Sequence, residues 1–135
     1  MNKDHRDVVQ DRDLMDLTGG DQARARALRA SLQRLADERA PDDPLREMAR
    51  EVLRGRVGLR EAARIPAYAE ALGERMTRGF REYERLSPDE RSEQQTAARC
   101  HLADLRDEIE RERAAGGRYV LRGAERAQGR GRASG

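Results

Sequence analysis

Cys100 and His101 stand side by side, the one place where the chain sets a thiol next to an imidazole. A catalytic pair needs the base within hydrogen-bond reach of the nucleophile. The surrounding residues have helical spacing, and neighbours on a helix point about 100° apart, so these two side chains do not face each other. Cys100 therefore reads as a small core residue and His101 as a boundary residue. His5 and His101 have no further His or Cys at ligand spacing, which leaves zinc short of its three or four ligands. Carboxylates pair at Asp42-Asp43, Asp89-Glu90 and Asp107-Glu108. Helix capping and solvated helix faces account for all three pairs. Neither Gly19-Gly20 nor Gly55 with Gly58 has the spacing or the lysine of a phosphate-binding loop. The expectation is a chain that is not an enzyme and uses no metal or cofactor.

Arginine is the other residue type that could do chemistry. All but one of the 28 basic residues are Arg; the exception is Lys3. From Arg113 onward six arginines face Glu125 alone, a net charge of +5, against −3 for the first 112 residues. Arg118, Arg122, Arg126, Arg130 and Arg132 could contact nucleic-acid phosphates. Only Tyr119 is interleaved with them, so base stacking is nearly absent. A solvated basic terminus is the favoured reading of this segment. A second DNA-binding pattern is the turn Gly55–Gly58 between segments 44–54 and 59–64, which has the outline of a helix-turn-helix. Pro66 stops its second helix after two turns, and Glu61 would face phosphates, so an ordinary helical corner fits better.

These residues sit on a polar frame. Charged residues make up 40% of the 135, and the apolar set 36%, of which 20 residues are Ala. Leu, Ile, Val and Phe number 21, about 16% of the chain, with no Trp and one Phe. β-Sheet architectures need more β-branched and aromatic residues than this. One Cys excludes an internal disulfide framework. There is no apolar run of about 18 residues to span a membrane and no apolar leader. Opposite charges are mixed at helical spacing, which supports helices rather than an expanded chain.

The elements follow from caps and apolar periodicity. Residues 1–20 form a charged lead with a short, loosely helical apolar cluster, broken at Thr18-Gly19-Gly20. Asp21 caps a helix over 22–39 with the stripe Ala25, Leu28, Leu32, Leu35 and Ala36. Asp43 and Pro44 open a helix over 44–54, whose Leu45, Met48, Ala49, Val52 and Leu53 form the cleanest amphipathic face. A short helix over 59–64 precedes Pro66, which begins another reaching Arg85. Gly79 on that helix suggests close approach of another helix. Ser87-Pro88-Asp89-Glu90 is a complete capping box. The helix it starts has no breaker until Gly116-Gly117, so it spans about 88–115, with a polar first section and packing residues from 98 to 109.

The resulting expectation is an all-α fold. Four to five helices form a loose bundle within a 21–116 domain, followed by a disordered Arg/Gly tail over 117–135. The expected function is a non-catalytic cytoplasmic module for protein–protein interaction or self-association, including a homodimer. Its contact residues are Met76, Phe80, Tyr83, Leu102, Leu105 and Ile109, each of which core packing would also explain. A small nucleic-acid-associated regulator using the tail arginines is the alternative.

Overall fold

A computed structural model describes the backbone of residues 8–133 and the side chains of residues 8–116. Every described element is helical: α1 (Asp11–Leu14), a 3-10 turn (Met15–Thr18), α2 (Gln22–Glu38), α3 (Pro44–Leu53), α4 (Leu59–Ala62), α5 (Pro66–Glu84) and α6 (Pro88–Ala133). The three caps read from sequence are formed. Asp21 Oδ1 accepts from the Arg24 amide at 3.1 Å, and Asp43 Oδ1 from the Leu45 amide at 2.8 Å. At Ser87 the box is reciprocal: its Oγ accepts from the Glu90 amide at 3.1 Å, and Glu90 Oε1 accepts from the Ser87 amide at 2.9 Å. Those bonds hold the Glu90 carboxyl below its ordinary pKa.

Helix α3 ends because Gly55 adopts φ 74°, a left-handed conformation that costs glycine little. The Gly55 amide then donates to Val52 O and the Arg56 amide to Glu51 O, closing the last turn. Gly19, at φ 63°, ends the 3-10 turn in the same way.

The core lies where α2 and α3 pack together, the most extensive helix contact in the molecule. Leu32, Ala36, Leu45, Met48, Ala49, Val52 and Leu53 are all buried there. The N-terminal lead belongs to this core. Val9 and Leu14 are buried in it, and the Val8 and Val9 amides both donate to Leu53 O, at 2.9 and 3.1 Å. The first half of α5 closes the remaining side through Tyr68, which packs over α3 with Ala71 and Leu72 at its margin. Burial, and then the nearby Glu47 carboxylate, push the Tyr68 hydroxyl above its ordinary pKa.

Helix α6 returns to the body at α2. Its backbone continues through Gly116-Gly117, where the sequence signalled a stop. The side chains of the expected 117–135 tail, with all five of its candidate arginines, lie outside the described residues.

Candidate interaction surface

Two halves of α5 and α6 leave the body. Between Gly73 and His101 no side chain is buried, and only Tyr83, Leu86 and Arg91 are even half-buried. Each arm is about 20 Å long at 1.5 Å per residue. The arms touch near their junction and then diverge. There the Arg91 guanidinium stacks 5.2 Å from the centre of the Tyr83 ring and donates to Tyr83 O and Glu84 O. Gln95 Nε2 donates to the Tyr83 hydroxyl at 3.0 Å. These contacts fix the angle of the hairpin without covering its faces.

The candidate contact residues divide accordingly. Met76 and Phe80 are 59% and 63% exposed, one turn apart on the same face of α5. Tyr83 continues that face and is half-buried by Arg91 and Gln95. Leu102 and Leu105 are half-buried where α6 meets the body, and Ile109 is buried at 5%. Ile109 is thus committed to holding α6 in place. Two sequence expectations are corrected here. Cys100 is exposed rather than a core residue, because α6 has not yet reached the body at that height. Gly79 has no atom of its own chain within 4 Å of where a Cβ would stand, so no intrachain helix approaches it.

Sequence reasoning missed the polar clamp that seats α6. Asp11 is buried at 6%, the one buried charged residue described. Its Oδ2 accepts from Arg26 Nε at 2.8 Å. The same guanidinium donates to both Glu112 oxygens at 2.7 Å and lies 3.4 Å from Glu108. Asp11 Oδ1 has no aligned hydrogen bond, but the Arg29 guanidinium stands 3.1 Å from it. Arg106 reaches Asp21 at 3.4 Å, and Arg113 donates to Gln22 at 2.9 Å. Arg26 therefore ties α1, α2 and α6 together. Its hydrogen bonds to Glu112 and then to Asp11 raise its pKa further, while Arg26 holds the Glu112 carboxyl below the usual range. Asp21 is also lowered, first by the Arg24 amide and then by Arg106. These partners are 15 and 86 residues from Arg26, so no local spacing announces them.

The grooves offer little to a reaction. One of about 520 Å³ lies between the N-terminal lead and the α3–α4 turn, lined by Val9, Leu14, Leu17, Val52, Val57 and Leu59 with Asp13, Asp16 and Glu61. It holds no Cys or His. Among the described residues no group of His, Cys, Asp and Glu is placed to hold a metal ion. No described helix is long and apolar enough to cross a membrane. Helix α4 is a single turn, too short to lie in a DNA groove as a reading helix.

Fold and surface together define an all-α bundle that carries a splayed helical hairpin. Compared with protein-family models, with curated proteins and with solved structures, the chain matches none.

Proposed function

We propose that the chain is a non-catalytic, cytoplasmic interaction module that presents the α5–α6 hairpin to a protein partner. One observation carries the reading: a hairpin with no buried side chain bears the chain's single Phe and a Met on one exposed stripe. Helical arms of this length gain most of their stability from packing an apolar face, and here that face has nothing of its own chain against it. A large aromatic on such a stripe is a familiar anchor for a partner. Met76 and Phe80 are the primary contacts, with Tyr83, Leu102 and Leu105 at the margins.

Replacing Met76 and Phe80 together with Ser tests the reading. The expected result is an unchanged circular dichroism spectrum, a melting temperature within about 2 °C of the parent, and loss of binding of an apolar fluorescent dye. A double variant that unfolds would place both residues in the core and end the proposal.

A further inference from the structure

Resting on that reading, we propose that the occupant of the α5 stripe is a second copy of the chain, whose own α5 lies antiparallel across it. The charges along α5 carry the argument. Two antiparallel helices related by a two-fold axis at Arg78 bring residue n level with residue 156 − n of the partner, a relation fixed by their equal rise per residue. In that register Met76 meets Phe80 of the second copy and Phe80 meets its Met76. Glu70 then stands level with Arg85, Glu74 with Arg81 and Arg75 with Glu82, each to within one residue. Symmetry doubles the set, so six opposite-charge pairs flank the stripe.

The faces agree with the register. At 100° per residue, Glu70, Glu74, Arg81 and Arg85 fall on one flank of the Met76–Phe80 stripe, and Arg75 and Glu82 on the other. A two-fold axis places each flank beside its own copy. Within one helix Glu70 and Glu74 are like charges four residues apart, as are Arg81 and Arg85, and such pairs repel. The second copy sets the acidic pair against the basic pair. None of these six residues forms an ion pair among the described residues.

Glycine placement fits as well. Gly73 and Gly79 weaken a helix that has open space around both of them. In the dimer Gly73 lies level with Tyr83 of the second copy and Gly79 with its Thr77, where a missing Cβ lets the backbones close up. The contact runs from Ala69 to Ser87, about 27 Å, with about 15 residues a side. That is smaller than a standard interface, so the dimer forms over micromolar concentrations.

Sedimentation equilibrium of the full chain from roughly 1 to 200 µM tests this. Three variants accompany it: Glu70→Arg with Glu74→Arg, Arg81→Glu with Arg85→Glu, and Met76→Ser with Phe80→Ser. All six positions are exposed, and circular dichroism confirms that each variant is folded. The parent is expected to dimerise, and each variant to weaken self-association by about tenfold or more. An equimolar mixture of the two charge variants is expected to restore a dimer, since every repelling pair then becomes an attracting one. A dimer that survives the Met76 and Phe80 change, or a mixture that fails to associate, overturns the proposal. So does a monomeric parent at 200 µM. If that monomer binds an apolar dye through Phe80, the interaction surface stands and only the second copy is excluded. If the dye ignores Phe80, both readings fall.

Discussion

At the residue scale Arg26 does more to define the molecule than any residue the sequence marks out. A guanidinium is planar and permanently charged, and its five donors suit several carboxylates at once. That is why one side chain can join α1 to α6 across α2. Arg26→Leu removes these bonds and leaves Asp11 with Arg29 alone. The expected loss is about 2 kcal/mol in urea unfolding, together with release of α6 from the body. Glu112 gives the same clamp a pH dependence. Its folded pKa is depressed, so its contribution is complete above the unfolded value near ~4.3 and fades as pH falls through the lower folded value. Urea midpoints measured between about pH 6 and 3 should decline more steeply for the parent than for Glu112→Gln. Equal slopes would remove Glu112 from the clamp.

At the element scale, local signals decide where helices begin and packing decides which of them bury anything. Asp21, Asp43 and the Ser87–Glu90 box were legible because capping depends on residues within one turn. The α3 stripe was legible because α3 is buried along one face for its whole length. Helix α5 carries an equally regular stripe, yet only its first half meets the body. Periodicity therefore reports that a face is apolar and not what covers it. Cys100 was misplaced for the same reason: Ala98, Leu102 and Leu105 predict a buried neighbourhood that α6 reaches only further along. Gly79→Ala offers a check on α5. With nothing near the added Cβ, the substitution should stabilise the monomer by about 0.5–1 kcal/mol in melts at low concentration. A loss of stability there would mean that Gly79 is packed within its own chain.

Across the whole molecule, stability is unevenly spread. A body of residues 8–72 contains nearly all of the core, α6 is clipped to it by Ile109 and the Arg26 network, and the arms stand clear. Opening free energies should follow that order. Hydrogen exchange is expected to show the strongest protection in α3 and the weakest within residues 73–101. Raising the protein concentration should increase protection in residues 73–85 selectively, since α5 is the face proposed to pair. Uniform protection across body and arms would contradict this division.

The sequence by itself determined the fold class, the helix starts and the amphipathic face of α3, because caps, prolines and apolar spacing act within one or two turns. It also carried the candidate surface, in that Met76 and Phe80 were readable as a stripe. Only the tertiary structure decided that this stripe is uncovered while Ile109 is buried, that the N-terminal lead joins the core, and that Asp11, Arg26 and Glu112 meet. Those outcomes depend on how far each helix runs before it leaves or regains the body. Chain direction after a turn sets that distance, and no local spacing records it.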